Sequence, residues 1–219
     1  HRFFTLHSRD WNVNRNNQPR LDINTVALDP APAGLTDETV DFLEAKRKAG
    51  QPIVSLANLV NATLIVTEEN QAQRELKSGV GAGDLGQLLD RFTTDAKQIR
   101  LERVNINTAP ASILAQVEGI DEALANTIAS ARQGLSPEAS RSIAWLLEES
   151  LLDAGQFRQI EPLITARSFQ FHIQVIGYAL PSGRYRVLEA IVDLIGPEPR
   201  VLYLRDLTKL GVPYPFATR

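Results

Sequence analysis

Cysteine and methionine are both absent from the 219 residues, and histidine occurs only three times. Without cysteine there is no disulfide, no thiolate zinc site and no cysteine nucleophile. The histidines, His1, His7 and His172, have no second histidine at helical i+3 or i+4 spacing that would spell out a metal pair. A general base or an activated nucleophile needs an oriented partner, and the sequence displays none. The protein therefore reads as non-enzymatic and without a cofactor. No run approaches the roughly 18–20 apolar residues that cross a bilayer. Nor is there an excess of basic charge: 23 Lys and Arg stand against 26 Asp and Glu, a formal net charge of −3. That balance argues against a protein held by phosphate contacts along its whole surface, while leaving room for a local basic patch. What is present suits a folded domain, since 43% of the residues are apolar, close to the usual globular share. The opening His1-Arg2-Phe3-Phe4 is neither a start site nor a signal peptide and reads as a fragment or processed product, with any anchor upstream.

Internal repetition is the strongest organising signal. Arg20-Leu21-Asp22-Ile23-Asn24-Thr25 returns as Arg103-Val104-Asn105-Ile106-Asn107-Thr108. Downstream, Ala45-Lys46-Arg47-Lys48-Ala49-Gly50 is echoed by Ala129-Ser130-Ala131-Arg132-Gln133-Gly134. The apolar run Ser55-Leu56-Ala57-Asn58-Leu59-Val60 is echoed by Ser142-Ile143-Ala144-Trp145-Leu146-Leu147. The expectation is two copies of one helical module, at 20–70 and 103–167. An N-terminal segment at 1–19 precedes them, extended at Phe3–His7 and a polar, asparagine-rich loop at Arg9–Gln18. The stretch 71–102 reads as a linker and connecting helix. The glycines from Gly79 to Gly86 belong to a polar linker beginning at Glu68, since a phosphate loop would end in Gly-Lys-Ser/Thr.

The second module is the more explicit. Thr108 reads as an N-cap, with Ala109-Pro110 opening a helix whose Ile113, Leu114 and Val117 share a face. Glu118-Gly119-Ile120-Asp121 makes a turn, and Glu122 to Arg132 forms a second helix facing inward through Leu124, Ile128 and Ala131. Gly134 reads as its C′ residue. Further helices are expected near Ser140–Leu152 and Ala154–Ile164. Helix, tight hairpin and helix together resemble the DNA-binding helix-hairpin-helix motif, carried by Asn105, Asn107, Thr108, Gly119, Ile120 and Arg132, with Asn24 and Thr25 as counterparts in the first module. DNA-binding versions place a second glycine and then a cation after the apolar residue; here Asp121 and Glu122 stand there and would repel a phosphate. The first module reads as lacking the hairpin, with Asp29-Pro30-Ala31-Pro32-Ala33-Gly34 at that place. The motif therefore reads as scaffold, and nucleic acid as an unfavoured partner.

After Thr165 the period changes to two. Phe169, Phe171, Ile173 and Val175 alternate with Gln170, His172 and Gln174, and Leu188, Ala190, Val192 and Leu194 share one face of the segment Tyr185–Ile195. His172 falls on the polar face and reads as solvent-exposed. Turns at Pro181–Arg184 and Gly196–Pro199 and a third strand at Arg200–Leu207 complete an antiparallel sheet over 168–219. Three strands are stable only with one face covered, so a helix is expected over it, from within these residues or from upstream. Glu148-Glu149 reads as a solvated face. Asp193, Glu198 and Asp206 gather near the sheet turns, where a hard cation could collect oxygen ligands, but no EF-hand spacing supports this. The fold class is α+β: two helix-hairpin-helix, SAM-like modules and a three-stranded antiparallel pilin-like sheet.

This combination resembles the K-type minor pseudopilins of the type II (general) secretion pathway. The likeness is carried by Arg103–Ala109 and the helices to Arg132, by Leu163-Ile164-Thr165-Ala166-Arg167-Ser168-Phe169-Gln170-Phe171, and by the closing strands. It implies an N-terminal prepilin helix, absent here, that anchors the protein in the inner membrane, and a periplasmic location at the tip of a pseudopilus. It also implies partners of the I and J types, and calcium in some members, with no ligands that can be carried onto this sequence. The implied role is mechanical: a wide helical head that stops subunit addition above it, and a sheet that contacts neighbours, with Phe169, Phe171, Tyr178 and Tyr185 as candidate anchors. The rival reading is the helix-hairpin-helix module of a competence-type DNA receptor.

Overall fold

The computed structural model describes residues 9–67, 72–180 and 182–210. Its elements are β1 (Arg9–Trp11), β2 (Leu21–Asp22), α1 (Asp37–Lys48), β3 (Thr63–Thr67), β4 (Gln73–Lys77), α2 (Leu85–Arg91), β5 (Phe92–Thr93), β6 (Ile99–Leu101), β7 (Val104–Asn105), α3 (Ala111–Leu114), α4 (Glu122–Ala131), α5 (Trp145–Glu148), α6 (Ala154–Ile160), β8 (Ile164–Thr165), β9 (Gln170–Ala179), β10 (Arg184–Asp193) and β11 (Arg200–Asp206). The fold is mixed α+β, in two compact units: Trp11–Arg167, and Ser168 onward together with the residues before Trp11. None of the described helices is long and apolar enough to cross a membrane.

The helical unit is built from two copies of one module, and backbone hydrogen bonds make the equivalence concrete. In the first copy β2 pairs in parallel with β5, Leu21 opposite Phe92 and Asp22 opposite Thr93; in the second, β7 pairs in parallel with β8, Val104 opposite Ile164 and Asn105 opposite Thr165. The N–H of Ile23 donates to Thr93 O and that of Ile106 to Thr165 O, both at 2.9 Å. Ile23 and Ile106 are both fully buried, each anchoring its module's core. Ser55 and Ser142 each cap the start of the following apolar run by accepting from the N–H two residues on, Ala57 at 3.2 Å and Ala144 at 3.1 Å. The last helix of each module is capped in the same way: Gly81 N–H donates to Asp84 Oδ2 before α2, and Asp153 N–H to Gln156 Oε1 before α6.

This equivalence extends the first module to Thr93. The stretch 71–102, expected as linker and connecting helix, contains β4 and the closing α2–β5 of the first module; only the antiparallel β3–β4 ribbon lacks a counterpart in the second. The glycines there open and pack α2 instead of loosening a linker. Gly86 faces Ala144 Cβ at 3.7 Å across the module boundary, as seen from the place its own Cβ would occupy. Residues 68–71, where the linker was expected to begin, lie outside the described residues, as does the extended segment expected at Phe3–His7. The modules pack reciprocally: α6 lies on the 3-10 turn Leu56–Leu59 of the first, and α5 on the turn Ala82–Asp84 before α2. One core results, with Trp145, Phe42, Phe92 and Phe157 as its largest members.

Several helix ends differ from the sequence reading. Asn105, not Thr108, organises the turn before α3: its carbonyl accepts from Thr108 and Ala109 N–H and its Oδ1 from Asn107 N–H, so the helix starts only after Pro110. Gly134 has no positive φ and closes a 3-10 turn, Arg132–Gly134. In the first module Gly50 (φ 67°) does take the C′ role, and the bonds Gln51 N–H to Lys46 O and Gly50 N–H to Arg47 O form a Schellman motif. The helix expected over Ser140–Leu152 shrinks to the four residues of α5, preceded by a 3-10 turn at Ala139–Arg141.

The second unit holds the sheet, in the order β11-β10-β9, antiparallel throughout. Its register places Val175, Leu188 and Asp206 in one row, Ile173, Ala190 and Leu204 in the next, and Phe171, Val192 and Val201 in the third, past a bulge between Ile191 and Val192. Eight of these nine side chains are apolar. A helix over one face was expected, from within these residues or from upstream; no described residue covers this face, and Val175 is 55% exposed, Leu204 64% and Val201 62%. The buried apolar residues of the sheet are Val187 and Ile191, on the opposite face. Gln174, Glu189 and Arg205 make a polar row on that face, where His172 Nε2 meets Glu189 Oε1 at 2.8 Å. This cross-strand partner, invisible at helical spacing, holds the Glu189 carboxyl below its usual range.

Candidate functional site: the two hairpins

The motif residues of the second module are braced from below by α4. Arg132 Nη1 donates to Ile106 O at 3.0 Å and Ala109 O at 2.6 Å, tying the last residue of the helix pair to its first turn. Asn107 Nδ2 donates to Ser140 O at 2.5 Å and Ala166 O at 2.9 Å. The first module repeats the bracing with its own residues. Arg47 Nη2 donates to Ile23 O at 2.8 Å, and Asn24 exchanges two bonds with the backbone of Ile53, at 2.9 and 2.8 Å. Thr25 and Thr108 are exposed and join through their N–H groups, to Asp22 O and Asn105 O. The asparagines and arginines that give the motif its sequence signature thus direct their hydrogen-bonding groups into the fold.

The hairpin itself turns at Gly119, with φ of 89°. A Cβ there would lie 2.9 Å from Ile160 Cγ2, so the position needs glycine both for its backbone conformation and for the approach of α6. Ile120 is buried and donates its N–H to Val117 O at 3.0 Å. Asp121 is the N-cap of α4, its Oδ1 accepting from Leu124 N–H at 2.7 Å. The consequence is electrostatic. The donors at a helix N-terminus are what a phosphate would use, and here the protein's own carboxylate occupies one of them. Glu118 and Glu122 flank it, both exposed.

The first module has the hairpin after all. Gly34 (φ 96°) stands for Gly119, Leu35 for Ile120 and Thr36 for Asp121. Leu35 N–H donates to Pro32 O at 3.1 Å, and Thr36 Oγ1 caps α1 by accepting from Thr39 N–H at 3.2 Å. The prolines of Asp29–Pro32 and a shorter connection from Ile23 hid the match. Gly34 also lies against its module's last helix, where Arg91 Cδ would stand 3.2 Å from an added Cβ.

A second feature escaped the sequence altogether. Glu161, in the turn after α6, crosses to the first module and bonds Ser55 Oγ at the cap of the Leu56–Leu59 turn. Burial pushes its carboxyl pKa up, opposed by the Ser55 hydroxyl, Arg103, the Leu56 backbone and Arg100. Arg103 Nη1 holds the same turn through Glu161 O and Ile164 O, at 3.3 and 3.2 Å. At the equivalent place the first module has Leu89, half-buried against the core.

Among the described residues no group of three His, Asp or Glu side chains is placed to hold a metal ion. Asp193 and Asp206, near the sheet turns, are engaged separately. Asp193 accepts from Arg9 Nη1 at 3.3 Å and Ile195 N–H at 2.8 Å. Asp206 accepts from Arg186 Nε at 3.1 Å and Thr208 N–H at 2.9 Å, with Thr208 the main cause of its lowered pKa.

No curated protein and no solved structure matches the sequence. The family model of the helix-hairpin-helix motif matches residues 100–165, a span that runs from the strand before Arg103 to the closing β8, so the second module carries a helix-hairpin-helix motif by sequence as well as by geometry.

Proposed function

We propose that this protein is a non-enzymatic assembly factor, the soluble part of a K-type minor pseudopilin that caps the tip of a type II secretion pseudopilus in the periplasm. The observation that carries the reading is an apolar face of the sheet that no described residue covers. Phe171, Ile173, Val175, Leu188, Ala190, Val192, Val201 and Leu204 form three adjoining apolar rows that water would otherwise have to solvate. A membrane-anchoring helix from upstream of His1 is the cover this reading assigns to that face, and I- and J-type pseudopilins are its partners. The paired modules serve as the bulky head, rigid because they share one core. Copurification with soluble I- and J-type minor pseudopilins tests the assignment. A stable ternary complex is expected; no association at micromolar concentrations refutes it.

The motif match favours a second reading, a nucleic-acid-binding module. Duplex DNA titrated by fluorescence anisotropy across a salt series decides between them. The carboxylates at Glu118, Asp121 and Glu122 predict no submicromolar, salt-sensitive binding, and its appearance would make DNA the ligand.

A further inference from the structure

Beside the first hairpin lies a cleft of about 570 Å³, lined by Asn14, Arg15, Gln18, Leu21, Gln87 and Arg91 among others, within the range of small-ligand sites. The asparagine-rich loop in its wall is held in place by its own hydrogen bonds and by α2. Asn14 Oδ1 accepts from the N–H groups of Asn16 and Gln18 at 2.9 and 3.0 Å, curling the asparagine-rich loop back on itself. Asp90 on α2 then clamps that loop, its two oxygens taking the N–H and Nε of Arg15, each at 2.9 Å. Arg20 Nε adds a bond to Asp90 O at 3.2 Å.

This arrangement engages Arg15 only through its backbone and Nε. Its two Nη groups, and the whole guanidinium of Arg91, make no hydrogen bond or ion pair among the described residues. Arg91 is laid across the hairpin glycine Gly34, which a Cβ would crowd, so the missing side chain there gives the guanidinium its place. The amides of Gln18 and Gln87 line the same space, and Pro19, Leu21 and Ala33 supply an apolar wall; Leu21 is 44% exposed in it. Two guanidinium groups face one carboxylate that is already committed. The residual charge is positive, and the free donors are planar forks that match a carboxylate. Asp90 in the wall disfavours a dianion such as phosphate, and the aliphatic wall has no use for one.

We propose that this cleft binds a peptide carboxylate with an adjoining aliphatic side chain, the carboxylate against Arg91 and Arg15 and the aliphatic group on Leu21. The inference does not depend on the pseudopilin reading. Its test is chemical-shift titration of the ¹⁵N-labelled protein with N-acetyl-alanyl-leucine, its C-terminal amide, N-acetyl-glutamyl-leucine amide and inorganic phosphate. Shifts of the Asn16, Gln87 and Arg91 amides with either carboxylate peptide, and none with the neutral amide, are expected. Binding of the first peptide names the C-terminus of a polypeptide as the source, and binding of the glutamyl peptide alone names an acidic side group. Arg91→Gln, at an exposed position, should weaken binding about tenfold through the lost charge-assisted bonds, and Gln87→Ala less. No shift at about 10 mM peptide, where a site with a Kd of about 1 mM would be roughly nine-tenths filled, equal binding of the neutral amide, tighter binding of phosphate, or an unchanged affinity in Arg91→Gln with its spectrum otherwise intact would each overturn the proposal.

Discussion

Gly119→Ala probes the packing of hairpin on helix most directly. The backbone holds φ at 89°, where a residue other than glycine costs about 1–2 kcal/mol. The added methyl would also sit 2.9 Å from Ile160 Cγ2, and Ile160 is fully buried in the core and cannot swing away. Overpacking of this kind costs about 1–3 kcal/mol. Together the substitution should remove about 2–5 kcal/mol, a large part of the usual 5–15 kcal/mol of a folded domain. Gly34→Ala is the internal control. It carries the same backbone strain at φ 96°, but its neighbour is the flexible, exposed Arg91, which can move. Its cost should stay near the strain alone, about 1–2 kcal/mol. Urea denaturation followed by tryptophan fluorescence reads the helical unit, because Trp145 is 1% exposed in its core. With a slope of about 2 kcal/mol per molar, the midpoint should fall by about 1–2.5 M for Gly119→Ala. If Gly34→Ala costs as much as or more than Gly119→Ala, the contact with Ile160 is not what fixes the second hairpin.

The junction between modules predicts a pH effect. Burial raises the Glu161 pKa in the folded state, so its contribution is fully present below the unfolded carboxyl pKa and is lost as pH rises through the folded value. Glu161→Gln, which is neutral at every pH, should therefore gain stability relative to the parent as pH rises from acid to neutral. A difference that stays flat, or reverses, across denaturation curves between about pH 4 and 8 would contradict the burial argument. The arginine braces predict an asymmetry. Arg132→Gln removes two bonds to backbone carbonyls and Arg47→Gln one, so losses of about 3 and about 1.5 kcal/mol are expected by thermal or chemical unfolding. Equal losses would show that the bonds do not carry the effect.

The repeat was readable because its signature residues serve the backbone of their own module. Asn24 and Asn107, and Arg47 and Arg132, recur because each bonds main-chain atoms within its own module, and a duplicated module repeats the residues that make those bonds. The alternation of Phe171, Ile173 and Val175 with His172 and Gln174 revealed the strands because a period of two is a property of the strand itself. The first hairpin was missed because prolines and a shorter approach altered the string while the turn at Gly34 kept its shape. The linker assignment failed because the glycines before α2 serve packing as much as turning.

Sequence by itself determined the two copies, the alternating strands and the acidic residues at the second hairpin, all of which show as the order and spacing of residues along the chain. Tertiary structure alone decided that Glu161 bonds Ser55 in the other module, that Asp90 turns Arg15 into one wall of a cleft, and that no described residue covers the apolar face of the sheet. Those outcomes depend on which distant segments come together, and residue order does not display that until the core has formed.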